Sequence, residues 1–345
     1  MSNRENCVNW IKEYFKDNHD GKAIIGISGG KDSTIAAALC VEALGADRVI
    51  GVMMPDGAQA DIADSAEVCS ILGIESHYID IAHSYWGLTV EIANALFGEN
   101  KEVQPVCEVV NNKMYATNTP ARIRMTTLYA VAAFYPNSRV VNTCNRSEDY
   151  VGYSTKYGDA AGDFSPLGNL TVREVLEIGD ELGLPHHLVH KAPSDGMCGK
   201  TDEDNLGFTY EQLDDHILDT GVVDKEIVEK IERLHRATRH KYNLMPTFNP
   251  HKEDPYFPYP LPIFELFDYS KQEKRGLRAE SGIMDDYAKG GLVKDADISG
   301  KFIADASNQF MPSADNVNLE EVARLLNNGM KAASGLFNFH APEEN

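Results

Sequence analysis

The chain has 345 residues, 43% hydrophobic and 25% charged, the proportions of a globular protein with room for one large domain or two modest ones. A net charge of −21 argues against a polyanionic partner such as DNA or RNA, yet leaves room for a small anionic ligand held by a few local cations and helix ends. No uncharged apolar run is long enough to span a membrane and no leader pattern opens the chain. The six scattered cysteines (Cys7, Cys40, Cys69, Cys107, Cys144, Cys198) form no C-x-x-C pair, so free thiols in a reducing cytoplasm are expected, without a disulfide framework or zinc site.

Apolar positions Cys7, Val8, Ile11, Tyr14 and Phe15 recur at helical spacing and predict a helix over 5–18. Ala23 to Ile27 reads as a buried strand, then a tight turn at Ser28-Gly29-Gly30, then a helix opened by Asp32 and Ser33 and stopped by Gly45. Residues 48–55 read as a second buried strand ending in a loop, 61–72 as a helix stopped by Gly73, and 76–81 as a third strand. A helix over 121–135 precedes a strand over 139–143. Such alternation implies βαβ units, an α/β fold with a parallel sheet flanked by helices. Ligands in open sheets bind beyond the carboxyl ends of the strands, so the loops after Ile27, Pro55 and Thr143 are expected to line one site. From about His251, prolines and aromatics through Phe264 predict an extended connector, followed by helices over 271–279 and 319–335. The expected division is a domain over 1–250 and a C-terminal extension over 251–345.

The turn after the first strand carries the chemistry. A strand feeding a glycine turn at a helix N-terminus exposes unpaired N–H groups and the positive end of the helix dipole, a site for phosphate. A Walker A loop needs glycine where Ile25 stands and Ser or Thr where Asp32 stands, and no G-x-G-x-x-G follows the strand. What remains, Ser28 to Ser33 as S-G-G-x-D-S, resembles the pyrophosphate-binding loop of the N-type ATP pyrophosphatases. These enzymes cut ATP between its α and β phosphates and adenylate a carbonyl or carboxylate oxygen.

Four further blocks follow in order: A-R-x-R-M at 121–125, N-x-S-E at 145–148, G-Y-x-T-K-Y-G-D at 152–159 and T-D-E-x-x-L-G at 201–207. Together with the loop they resemble the NAD synthetase family over residues 1 to about 250, with T-K-Y-G-D its specific block. The resemblance implies an adenine-nucleotide α-hydrolase-like fold and ATP-dependent amidation of deamido-NAD to NAD by ammonia, releasing AMP and pyrophosphate. It assigns ATP to Gly26, Ile27, Ser28, Gly29, Gly30, Lys31, Asp32 and Ser33, with Thr143 and Thr201, and assigns Mg²⁺ to Asp32 and Glu148. It assigns deamido-NAD to Arg122, Lys156, Asp163, His240 and Lys241. Asp159 would stand near the reacting carboxylate and accept a proton from ammonium, so Asp159 and Asp32 are the expected catalytic acids. The family also implies a homodimer; the charge and the lack of a long apolar run lead to the expectation of no nucleic acid and no membrane partner.

These residue types suit the chemistry, because clustered phosphate charge calls for cations and for a hard metal ion on carboxylate oxygens. Plainer readings exist for each: a helix cap for Asp32, a solvated loop acid for Glu148, a turn aspartate for Asp159, a surface ion pair for Arg122. One departure stands out. Where many members carry a phosphate-approaching lysine, this chain has Val172, so Arg173 or another cation is expected to compensate. Ammonia is the expected nitrogen source. Cys7 is the only cysteine before the loop, none follows residue 251, and no amidotransferase domain precedes the loop. The alternatives are another adenylating ligase of the superfamily, GMP synthetase-like or tRNA-thiolating, and a catalytically silent nucleotide-binding protein. A GMP synthetase-like enzyme should lack T-K-Y-G-D, thiolation needs reactive cysteines and a basic surface, and intact Asp32, Glu148 and Asp159 speak against a silent protein.

Overall fold

The computed structural model describes residues 1–18, 21–59, 62–98, 104–191 and 202–243. Its helices are α1 (Asn3–Tyr14), α2 (Lys31–Leu44), α3 (Ile62–Leu72), α4 (Ala82–Phe97), α5 (Gln104–Val110), α6 (Lys113–Ala132), α7 (Arg146–Val151), α8 (Val172–Glu181), α9 (His186–Val189), α10 (Asp202–Leu206), α11 (Tyr210–Leu218) and α12 (Lys225–Thr238). The strands are β1 (Ala23–Gly26), β2 (Val49–Met53), β3 (Glu75–Tyr78) and β4 (Arg139–Val140), all parallel, in the order β3-β2-β1-β4.

Parallel strands require crossovers, and the crossover helices bury both faces of the sheet. The two-residue period of β1 sorts its side chains accordingly. Ala23 and Ile25, with Ile27 just beyond, pack into a layer with α1, α2, α3, α8 and α9. Ile24 points the other way, with Ile50, Val52 and Val140, onto Met125 and Leu128 of α6. α2 is buried from Ile35 to Cys40 on nearly every side, as its unbroken apolar sequence requires. A further cluster, Val151, Val172, Leu206, Phe208, Tyr210, Leu213, Ile231 and Leu234, joins α7, α8, α10, α11 and α12.

Gly45 (φ +92) and Gly73 (φ +63) end α2 and α3 as expected. The elements differ from the sequence reading at several points. α6 begins at Lys113, capped by the Asn112 side chain accepting from the Tyr115 N–H at 3.1 Å, and runs through a buried Pro120. A proline normally marks a helix start, but here burial of its ring accompanies the loss of one helical hydrogen bond. β4 pairs over only two residues, and Val141 continues as a bridge to Phe164. α4, α5 and α7 to α12 lie in stretches where the sequence reading names no element. The expected elements at 251–264, 271–279 and 319–335 lie outside the described residues, as do Thr201 and Cys198. Among the described residues no helix is long and apolar enough to cross a membrane.

The chain leaves β1 for β2 and β3 on one side and returns to β4 on the other. That reversal opens a crevice past the carboxyl ends of β1 and β4, the place where such sheets bind ligands.

Candidate functional site

At the end of β1 the chain turns through Ile27 to Gly30 into α2. Gly29 has φ +76, and a Cβ there would stand 3.0 Å from both Asp64 Cβ and the Ser65 backbone nitrogen, so the turn admits only glycine. Two hydroxyls brace the loop. Ser33 donates to the Gly30 carbonyl at 3.1 Å, and Ser28 Oγ, 3.0 Å from Ser33 Oγ, accepts from the Gly30 N–H at 3.2 Å. The N-cap residue Gly30 makes no side-chain cap bond. The first-turn N–H groups of Lys31, Asp32 and Ser33 thus receive no bond from a cap side chain, and they lie at the positive end of the α2 dipole.

Across the crevice, β4 leads through the partly buried Thr143 and the buried Cys144 into α7. Asn145 and Glu148 form a capping box: Asn145 Oδ1 accepts from the Glu148 N–H at 3.0 Å, and the Glu148 carboxylate accepts from the Asn145 N–H at 3.4 Å. The Asn145 amide also donates to Asp32 Oδ1 at 3.0 Å, tying the loop after β1 to the loop after β4. Asp32 and Glu148 converge on one cation, the Lys31 ammonium, 2.7 Å from Asp32 Oδ2 and 3.9 Å from Glu148 Oε1.

Burial pushes the Glu148 carboxyl well above the usual carboxylate range; the Asp32 charge adds to the rise and Lys31 opposes it. Burial by itself would pull the Lys31 ammonium down, but the carboxylates of Asp32 and Glu148 override it and hold it above its ordinary value. The Lys31 ammonium also sits 5.7 Å from the centroid of the Tyr210 ring, whose hydroxyl donates to Asp202 Oδ2 at 3.4 Å. Two hard-oxygen acids gathered around a cation fit the donor preference of Mg²⁺. Among the described residues no three His, Cys, Asp or Glu side chains form a metal cage.

A cleft of about 370 Å³ opens beside this pair, lined by Lys31, Val172, Arg173, Lys191, Glu203 and Tyr210. Val172 is buried in it, while the Arg173 guanidinium donates to Asp215 at 2.8 Å and the Arg173 N–H to Asp214 at 2.8 Å.

The T-K-Y-G-D block is a tight turn in which Asp159 Oδ1 accepts from the Thr155 N–H at 2.9 Å and Tyr157 takes φ +64. A Cβ on Gly158 would stand 3.0 Å from Ala121 of α6, so the turn lies hard against that helix. Asp159 retains an exposed surface, but the protein around its carboxyl raises it above its ordinary value, against the pull of the Thr155 N–H. Cys144 stands between the two halves of the site: its thiol donates to the Asp159 carbonyl at 3.3 Å, and the charges of Asp159, Glu148 and Asp32 all act on it.

Four of the five residues expected to hold deamido-NAD meet at this turn. Arg122 Nε donates to the Lys156 carbonyl at 3.2 Å, and Lys156 Nζ donates to the His240 carbonyl at 2.7 Å. Lys241 Nζ donates to the Gly152 and Ser154 carbonyls, each at 2.7 Å. Burial lowers Lys241, and the Asp159 charge raises it. Asp163 lies apart from these four, at the flank of β4, where its carboxylate accepts from the Tyr129 hydroxyl at 3.0 Å and the Val140 N–H at 2.7 Å. Thr201 lies outside the described residues.

The sequence reading missed two residues that organise the site. Asn145 was legible as the N-cap of N-x-S-E, but its second bond, to Asp32, depends on sheet order. Tyr210 stands in no motif, and only the packing of α11 brings it over Lys31.

The family model described as NAD synthase matches residues 4–254. The NH(3)-dependent NAD(+) synthetase of Carboxydothermus hydrogenoformans is 35% identical, over 69% of this chain and 93% of its own length. That of Pyrococcus furiosus is 36% identical, over 70% of this chain and 93% of its own length. Among solved structures, the NMN synthetase from Francisella tularensis superposes with a TM-score of 0.61 at 34% identity, covering 72% of this chain and 97% of that one.

Proposed function

The chain belongs to the NAD synthase family, and on that premise we propose that it amidates deamido-NAD to NAD with ATP and ammonia, releasing AMP and pyrophosphate. The observation that carries the reading is the convergence of Asp32 and Glu148 at the end of a braced, uncapped glycine loop, with the T-K-Y-G-D turn beyond Cys144. The reaction needs polyphosphate and nicotinate side by side, and this crevice offers a place for each.

In this reading the Gly26–Ser33 loop receives the β- and γ-phosphates on backbone N–H groups, with Thr143 and Thr201 as further ATP contacts. Asp32 and Glu148 would hold Mg²⁺, which supplies charge neutralisation to the departing pyrophosphate. Arg122, Lys156 and Lys241 bring positive charge to the T-K-Y-G-D turn for the nicotinate end of deamido-NAD, with His240 as a further contact, and Asp163 serves it from the β4 flank. A nicotinate carboxylate oxygen attacks the α-phosphorus, the bond to the β-phosphate oxygen breaks, and the electron pair leaves with pyrophosphate. Asp159 takes a proton from ammonium, and the freed ammonia displaces AMP from the acyl carbon. The protein works as a homodimer in the cytoplasm, a setting in keeping with the free thiols of its described cysteines.

The test is a product assay with deamido-NAD, ATP, Mg²⁺ and an ammonium salt. NAD, AMP and pyrophosphate are expected, with the rate rising toward mildly alkaline pH as free ammonia increases. Glutamine should support little turnover, and nicotinate mononucleotide, offered in parallel, should be the poorer acceptor. ADP and phosphate as products would overturn the reading.

A further inference from the structure

The Lys31 side chain has no use in a loop that binds phosphate through its backbone, yet it is the most committed cation of the site. Only 7% of it is exposed, and its ammonium rests on the two acids expected to hold metal. Burying an ammonium is costly unless it is paired, and a surface lysine would serve α2 equally well. Two acids alone would present negative charge to an incoming polyphosphate. Lys31 offsets that charge without blocking the N–H groups of its own helix turn. It lines the same cleft as Val172, and Arg173 next door is tied to Asp215 at 2.8 Å.

We propose that Lys31 is the phosphate-contacting cation of this site: its ammonium occupies the Asp32–Glu148 pair before nucleotide arrives and passes to the β- and γ-phosphates once nucleotide and metal are bound. There it stabilises the negative charge that pyrophosphate gains as the α-phosphorus to oxygen bond breaks. Lys31 stays protonated throughout, no bond is made to it, and the electron pair leaves on pyrophosphate. This assigns the compensation for Val172 to the first turn of α2 and to no residue of α8. It rests on the proposed reaction only in placing the polyphosphate on the loop.

The experiment uses full-length Lys31→Met, with Lys31→Gln as a second variant whose amide still reaches Asp32 if the methionine form does not fold. Calorimetry reads two ligands separately, neither of which requires turnover: inorganic pyrophosphate with Mg²⁺, and Mg²⁺ alone. Loss of a charged partner should weaken pyrophosphate by about tenfold or more. Mg²⁺ alone should bind more tightly than to wild type, because the competing ammonium is gone. Deamido-NAD affinity should be unchanged, and Lys31→Arg should recover part of the pyrophosphate affinity. Wild-type pyrophosphate affinity in the neutral variants would overturn the proposal, as would weaker Mg²⁺ binding, the mark of a merely structural lysine. An Arg173→Ala variant that loses pyrophosphate while Lys31→Met keeps it would also overturn it. Failure of the NAD assay with these binding results intact would strike the proposed reaction and leave Lys31 in its role.

Discussion

Glu148 does two jobs with one carboxylate: it closes the N-terminal cap of α7 and faces the Lys31 ammonium beside Asp32. The two can be separated, because an amide oxygen still accepts from the Asn145 N–H but carries no charge. Glu148→Gln is expected to keep its thermal midpoint within a few degrees while kcat falls by about a hundredfold, the usual size for removing one electrostatic contact to a developing charge. Circular dichroism melting and steady-state kinetics on the same preparation check this, and a variant with near-normal kcat would remove Glu148 from the site. Gly29 gives the converse case. At φ +76, with backbone 3.0 Å from any added Cβ, Gly29→Ala should cost about 1–2 kcal/mol of stability and abolish nucleotide binding, because the loop must move to admit the methyl group. Urea unfolding and ATP titration read the two effects, and normal ATP binding would show the loop to be more forgiving than its geometry.

α12 brings His240 and Lys241 to the site and is latched to α7 through a partly buried network. The Tyr150 hydroxyl donates to Glu232 Oε1 at 2.8 Å, His216 Nε2 lies 2.9 Å from the same oxygen, and the rings of Tyr150 and His235 stack at 4.1 Å. The His216 hydrogen bond, aided by Tyr150 and opposed by burial, lowers the Glu232 carboxyl from 4.5 to about 2. A carboxyl depressed by folding adds stability that is fully present above its unfolded value and is lost as pH falls through its folded value. Glu232→Gln should therefore be destabilised by about 1–3 kcal/mol at pH 7, and the gap should hold down to pH 5. Between about 4.5 and 2 the gap should close. Urea midpoints at pH 7, 5 and 4 test the window; a gap that widens on acidification would mean the network is not held by an ionised Glu232.

At the scale of the whole molecule, we expect residues 1–254 to carry the folded enzyme. Among the described residues the hydrophobic clusters run from Cys7 to Leu234, and the family match ends at 254. A chain ending at Asp254 is accordingly expected to fold cooperatively and keep kcat within about threefold of the full chain. Loss of either property would give residues 255–345 a structural part in the enzyme. Strand–turn–helix order and the S-G-G-x-D-S loop were legible in the sequence because both are local: a two-residue period in β1, an apolar α2, and glycines at turns that need them. The resemblance also grouped Arg122, Lys156, His240 and Lys241, which the fold brings to one turn. Strand order, the Asn145 bridge to Asp32, the use of Pro120 inside α6 and the placing of Tyr210 over Lys31 were not legible. Each joins residues far apart in the chain, and no local pattern records which distant side chain will arrive. The sequence alone thus determined what chemistry its loops could carry. Tertiary packing decided which charges meet, because the energy of a buried ammonium depends on carboxylates delivered by two separate strands.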